Sequence, residues 1–322
     1  MSSSDVLLVD DLSVGFNTED GFVEVIEDVS FSIKPGEVLG LVGESGSGKT
    51  VAAMSLLSLL PSPPAKRLKG QILLGDVDLT ALNSKQLLNY RGRDVGYIFQ
   101  EPMNSLNPTY KIGYQLMEPL KLHTNLSKSE IRAKAIEMLN LVGINEPERR
   151  LEQYPFELSG GIRQRVMIAM ALICEPKLLI ADEPTTALDV TVQAQIMDLL
   201  RNIRKDLKTA ILLITHDMGL VAENCDRVAV MYAGRIVETG SVTQVMKSPR
   251  HPYTKALLES IPGIHNKKEV LPTIAGMVPA PGKRPVGCNF QDRCASVIEK
   301  CRQSEPVLDG KDHRVECWNP VS

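Results

Sequence analysis

The stretch Gly43-Glu-Ser-Gly-Ser-Gly-Lys49-Thr50 constrains this chain more than any other feature. It follows a short apolar run, Val38 to Val42, and precedes a second apolar stretch, Val51 to Leu60. It therefore reads as a loop between a buried strand and a helix. Glycines let backbone N–H groups converge on phosphate oxygens, and the helix N-terminus adds its positive dipole. Gly43, Ser45, Gly46, Ser47 and Gly48 form the cradle, Lys49 bridges the β- and γ-phosphates of a nucleotide, and Thr50 holds Mg²⁺.

A partner element lies further on. Leu178-Leu-Ile-Ala-Asp182-Glu183-Pro184 is a hydrophobic strand ending in acid. Asp182 is placed to reach Mg²⁺ through water, and Glu183 to polarise an attacking water as general base. Strands at Val6–Phe16, Val23–Ile33, Val95–Phe99, Leu178–Ala181 and Ala210–Thr215 are expected, with Asn17 to Gly21 as a turn between the first two. Ser127 and Glu130 form a capping box that opens a helix through Leu141, closed by Gly143, and Val190 to Leu207 reads as another helix. Strand alternating with helix implies an α/β fold with a mainly parallel sheet.

Composition narrows the class. The 322 residues carry a net charge of −3, with Lys and Arg dispersed, which argues against nucleic-acid binding. No apolar run reaches the roughly 18–20 residues needed to span a bilayer. The N-terminus lacks the blocks of a secretion signal, so a cytoplasmic chain is expected, with any membrane association supplied by partners. Four of the six cysteines, Cys288, Cys294, Cys301 and Cys317, fall near the C-terminus, where a reducing compartment points to metal rather than disulfides. Cys174 and Cys225 read as core thiols.

Leu158-Ser159-Gly160-Gly161-Ile-Arg-Gln-Arg165 opens a helix and forms a second anion cradle. It resembles the signature motif of ATP-binding-cassette (ABC) ATPases. In that family Ser159, Gly160 and Gly161 would contact the γ-phosphate of ATP held by the opposite subunit, so a single chain cannot complete its own site. Three further positions stand in the family's order. Gln100 resembles the Q-loop glutamine that couples the metal site to a transmembrane partner. Ala187-Leu188-Asp189 resembles the D-loop at the dimer interface. His216 resembles the switch histidine on the γ-phosphate. Phe16 is the candidate to stack on adenine, with Phe22 and Tyr110 as competitors. The resemblance implies a P-loop ABC-ATPase fold with an antiparallel β subdomain and a helical signature subdomain at about 100–174, over a domain at 1–260.

Phe99-Gln-Glu-Pro-Met-Asn-Ser-Leu-Asn-Pro108, Asp182 to Ala194 and His251-Pro-Tyr-Thr-Lys-Ala-Leu257 narrow the resemblance to ATPases of dipeptide, oligopeptide and nickel importers. Peptide import is the expected function, nickel import the alternative. Soluble cassette ATPases of repair or translation carry coiled-coil insertions or fused cassettes that this chain lacks. A metal-cluster redox protein gated by nucleotide would need an electron partner, of which the sequence gives no sign. The implied partners are a second, related but distinct ATPase, with a second copy of this chain as the alternative, two transmembrane permeases and an extracellular or periplasmic substrate-binding protein, with the chain peripheral on the cytoplasmic face of the membrane. Residues 261–322, broken by prolines, would form a small Cys-rich extension. There the four cysteines resemble a cluster associated in peptide importers with a 4Fe–4S centre. Zinc would accept four thiolates too, although its sites usually show tighter pairs, and unliganded buried cysteines remain the third possibility.

Overall fold

The computed structural model describes residues 5–100, 105–186, 189–261 and 273–321. It divides into two compact units: residues 1–33, 38–80 and 213–322 in the first, 34–37 and 81–212 in the second.

The first unit opens with a hairpin of β1 (Leu7–Thr18) and β2 (Gly21–Ile33), paired from Leu7↔Ile33 to Thr18↔Gly21. The strands run further than their apolar pattern suggests, so only Glu19 and Asp20 remain as the loop. The Thr18 hydroxyl donates to the Gly21 carbonyl at 2.7 Å and closes it. β4 (Ala65–Leu74) pairs with the other edge of β1, and β5 (Val77–Asp78) with β4, giving a four-stranded antiparallel sheet of order β2-β1-β4-β5.

β3 (Val38–Val42) is buried throughout and pairs in parallel with β9 (Arg227–Tyr232). β9 turns back antiparallel into β10 (Arg235–Ser241), which accepts the short β11 (Arg314–Val315). The sheet is therefore mixed, with a C-terminal strand on its antiparallel side. Helix α1 (Lys49–Leu56) follows β3. It stops short of Leu60 because Ser58 takes a left-handed φ of 49° and turns the chain out of the helix.

The second unit holds the parallel pair β6 (Val95–Ile98) and β7 (Leu178–Asp182), in register from Val95↔Leu178 to Ile98↔Ala181. The short α2 (Ser84–Leu87) precedes β6. Between the strands lie α3 (Ile112–His123), α4 (Lys128–Leu141), α5 (Pro147–Leu151) and α6 (Gly160–Leu172), packed through Leu116, Leu120, Ala135, Leu139, Leu151 and Ile168. The Ser127–Glu130 capping box forms as the sequence predicts, each side chain bonding the other's backbone N–H. α7 (Val190–Leu207) is capped by Asp189 and buries Ile196, Leu200 and Ile203. β8 (Ala210–Thr215) carries the chain back across the division of the units. Among the described residues no helix is long and apolar enough to cross a membrane.

The C-terminal cysteines require a correction. Among the described residues no group of three or more His, Cys, Asp or Glu side chains is placed to hold a metal ion. The expected 4Fe–4S centre is overturned, and with it the zinc alternative and the metal-stapled extension. Cys288 and Cys294 pack against a core that contains Tyr232, Tyr253 and Phe290, and Cys301 is buried in the short α11 (Glu299–Gln303). Burial pushes the Cys288 thiol up to about 12 and the Cys317 thiol up to about 11, which favours the protonated form of both. The region is held by other means: α8 (Met218–Asn224), α9 (Val242–Lys247) and α10 (Pro252–Glu259) share its core, and charged pairs tie it to β2 and β10. Cys225 packs on the same core, whereas Cys174 lies just beyond α6.

His251 caps α10 through Nδ1, which accepts the Tyr253 N–H at 3.0 Å. Burial lowers its pKa from 6.5 to about 3, against a hydrogen bond with the Glu316 backbone that favours the charged form. The folded state then binds fewer protons than the unfolded one, so stability present above pH 6.5 is lost as pH falls towards 3. His251→Asn keeps a capping oxygen and removes the titration. Its unfolding free energy should fall less steeply than that of the parent chain between those pH values, as read by urea melts at stepped pH.

Candidate nucleotide site

The phosphate loop belongs wholly to the first unit. Gly43 sits at φ 155°, and a Cβ there would lie 2.1 Å from the Met231 carbonyl oxygen. Gly48 caps α1 at φ 102°, where a Cβ would meet Ile26 at 2.8 Å. Only glycine fits such approaches without strain. Gly46 also has positive φ but faces open space. The Gly234 N–H donates to the Ser47 carbonyl at 2.8 Å and pins the loop to the turn between β9 and β10. No side chain caps the N-terminus of α1. Lys49 is 6% exposed, and its Nζ donates to the carbonyls of Gly43 at 2.8 Å and Glu44 at 3.0 Å. A curled backbone, an uncapped helix start and an ammonium held at its mouth fit a polyphosphate.

Phe16, partly buried near the end of β1, pairs with Val23 and Ala65. Phe22 lies over Gly15 on the same hairpin and is 44% exposed. Tyr110 belongs to the second unit, where it stacks on Tyr114 with ring centroids 4.8 Å apart. His216 is exposed directly after β8, and Asp217 next to it caps α8 by accepting the N–H groups of Gly219 and Leu220.

In the second unit β6 and β7 deliver Gln100 and Glu183 to the same place. Gln100 Nε2 donates to Glu183 Oε2 at 3.1 Å, and the Thr186 hydroxyl donates to the same oxygen at 2.8 Å. Glu183 sits at φ 45°, a strained position for a non-glycine residue. Asp182 is 1% exposed and accepts the Tyr97 hydroxyl at 3.0 Å. Burial and the neighbouring Asp182 charge raise the Tyr97 pKa far above its usual value, which keeps the donor proton in place. A buried carboxylate of this kind offers the hard oxygen that Mg²⁺ prefers.

Ser159 and Gly160 are exposed at the start of α6, which no side chain caps, and a Cβ on Gly160 would meet nothing within 4 Å. This helix end is open to an anion. Gln164, 1% exposed one turn later, donates through Nε2 to the Pro184 carbonyl and ties α6 to the turn after Glu183. Asp189 accepts the Val192 N–H at 3.0 Å. Ala187 and Leu188, like Glu101 to Asn104, lie outside the described residues.

Sequence reasoning missed Tyr97, Thr186 and Gln164. Gln164 stands between Arg163 and Arg165, so nothing local marked it as the buried member of that polar run. Tyr97 and Thr186 gave no signal either, because their partners are fixed by strand register and by a turn.

A phosphate loop, an acid-terminated strand and an open signature helix define a nucleotide-hydrolysing cassette. The comparisons agree. The ABC transporter family model matches residues 26–186, and that of the oligopeptide/dipeptide transporter C-terminal region matches residues 237–301. A relative in Sinorhizobium fredii described as a probable peptide ABC transporter ATP-binding protein is 49% identical over 98% of this chain and 95% of its own length. The dipeptide transport ATP-binding protein DppD of Escherichia coli is 47% identical over 98% of this chain and 97% of its own. A solved dimeric ATP-binding cassette in a post-hydrolysis state, bound to ADP and Pi, superposes with a TM-score of 0.66 at 26% identity, over 73% of this chain and 98% of that one. The chain belongs to the ABC transporter family of ATPases.

Tyr97→Phe removes a hydrogen bond to a buried charge, an interaction typically contributing about 1.5–3 kcal/mol. Denaturant unfolding should report a loss in that range, while the nucleotide-free secondary structure measured by circular dichroism stays unchanged.

Proposed function

We propose that this chain is the ATP-hydrolysing subunit of an importer of dipeptides or oligopeptides. The observation that carries this is the pairing of a complete cassette motif set with a C-terminal region matched by the peptide-transporter model, supported by relatives whose names specify peptide transport. In this proposal residues 1–260 form the nucleotide-binding domain, with its helical part at about 100–174, and residues 261–322 an extension of it.

Lys49 grips the β- and γ-phosphates, while the backbone of Gly43 to Gly48, with Ser45 and Ser47, surrounds them. Phe16 is the aromatic assigned to adenine. Mg²⁺, when bound, neutralises phosphate charge and would be held by Thr50, Asp182 and Gln100. Ser159, Gly160 and Gly161 serve the γ-phosphate of the opposite subunit, with Asp189 at the interface between them and His216 on the γ-phosphate from its own side. Glu183 takes a proton from water as its oxygen bonds to the γ-phosphorus, the bond to the β-phosphate oxygen breaks, and ADP and phosphate leave. Because Gln100 bonds Glu183, displacement of Gln100 by a membrane partner changes the orientation of the base.

The partners in this reading are a second cassette ATPase distinct from this one, two permease subunits and an external substrate-binding protein. The chain sits peripherally on the cytoplasmic face of the membrane. Closing on ATP and opening after hydrolysis is a ligand-driven shift between two packings, with ATP as the differential ligand.

Glu183→Gln should keep ATP binding and slow phosphate release by about 10²–10⁴-fold, the usual contribution of a general base. Near-normal turnover would remove Glu183 from that role. Assembled with its membrane partners in proteoliposomes, the parent protein should show ATPase activity stimulated by peptide-loaded binding protein; stimulation by nickel alone would reject the peptide assignment.

A further inference from the structure

The phosphate loop is clamped by residues from far along the chain. Arg293 is 249 positions from Glu44, yet its guanidinium forks onto the Glu44 carboxylate, Nη1 to Oε2 at 2.7 Å and Nη2 to Oε1 at 3.0 Å. Its remaining N–H groups are also taken. Nε donates to the Ala275 carbonyl at 2.9 Å, Nη1 to the Tyr232 hydroxyl at 3.3 Å and Nη2 to the Ile274 carbonyl at 3.3 Å. All five donors of the guanidinium therefore have acceptors. The plane lies over the rings of Tyr232 and Phe290, with its carbon 5.7 and 5.9 Å from their centroids. The Arg293 side chain is 7% exposed, so the fork is shielded from water on one side and rigidly aimed.

The rest of Glu44 is pinned as well. Its N–H donates to the hydroxyl of the fully buried Tyr253 at 2.8 Å. Its carbonyl accepts Lys49 Nζ at 3.0 Å and the Ser47 N–H at 3.2 Å. One loop residue is thus fixed at three points, two of them from the C-terminal third of the chain.

The charge matters as much as the geometry. Glu44 lies inside an anion cradle, where a free carboxylate would repel a triphosphate. Arg293 neutralises that charge and draws the carboxylate towards the C-terminal residues. We propose that Arg293 is a positioning residue for nucleotide binding, holding the phosphate loop through Glu44, so that the C-terminal region sets the affinity for the phosphates. This rests on the ATP assignment above. Arg293 bonds the loop and touches no reacting atom, so its loss weakens binding and spares the chemical step.

The test is a double-variant cycle on the full chain, with Mg-ATP affinity measured by equilibrium titration and kcat and KM by hydrolysis in the assembled transporter. Arg293→Ala should weaken ATP binding about tenfold and raise KM in step, with kcat at saturating ATP held within about twofold. Glu44→Gln added to Arg293→Ala should recover part of the lost affinity, because it removes the carboxylate whose charge Arg293 no longer neutralises. Arg293→Lys keeps the charge and loses the fork; it should fall between parent and Arg293→Ala, and it serves as the test should the alanine variant fail to fold. Parent-like affinity in the variants, additive losses in the double variant, or a fall in kcat at unchanged KM would each overturn the proposal. Failure of the parent chain itself to bind ATP would instead reject the ATP assignment.

Discussion

The carbonyl oxygen of Met231 sets the shape of the phosphate loop. It stands where any side chain at position 43 would have to be, so the loop can close on the β9–β10 turn only through glycine. The Gly234 N–H to Ser47 makes that approach a bond as well as a steric limit. A loop that leans on a hairpin is only as well placed as the hairpin. Behind this one, Tyr232, Tyr253 and Phe290 form a three-ring cluster with centroids 4.6 to 5.4 Å apart. Aromatic clusters of this kind combine large apolar burial with fixed ring geometry. Two of the rings come from residues beyond β10, which is why the C-terminal region bears on a motif near the start of the chain.

The second unit has its own short-range logic. Register Ile98↔Ala181 places the residues just past both strand ends side by side, and Gln100 meets Glu183 there. Strain at Glu183 is compatible with two hydrogen bonds to one carboxylate oxygen, which hold the side chain against its unfavourable backbone. Gln164 adds a tether from the signature helix to the same turn. Within this unit, then, a buried amide links α6 to the residue that follows Glu183.

What could be read from the chain beforehand follows the range of the interactions. The phosphate loop, the Ser127–Glu130 box, the Val190–Leu207 helix and the acid-ended strand are each written in fewer than twenty consecutive residues, and each formed where expected. α1 ended early because one backbone torsion at Ser58 is invisible to an apolar pattern. The cysteines misled for a different reason. Spacing counts thiols but does not place them, and among the described residues no three metal-binding side chains come together. The Arg293 clamp and the Tyr253 bond were unreadable because nothing local relates residues 249 and 209 positions apart.

The C-terminal segment is held by the apolar core it shares with α8, α9 and α10, and its charges add a second kind of tie. Arg235, at the start of β10 and 9% exposed, faces four carboxylates: Glu316 at 3.0 Å, Glu27 and Asp28 at 3.5 Å, and Glu305 at 3.6 Å. Desolvation offsets much of the Coulomb gain in such a group, and burial pushes the Glu316 carboxyl up to about 7 even beside Arg235. A network of this kind therefore adds less to net stability than its number of contacts suggests. Its effect is on register, since an unpaired Arg235 would be costly in any other docking. Arg284 repeats the pattern on Glu27 and the Val25 carbonyl. Both arginines act on β2 and on the turn that supports the phosphate loop, so the charges that fasten the C-terminal region also fix the surface against which the loop is shaped.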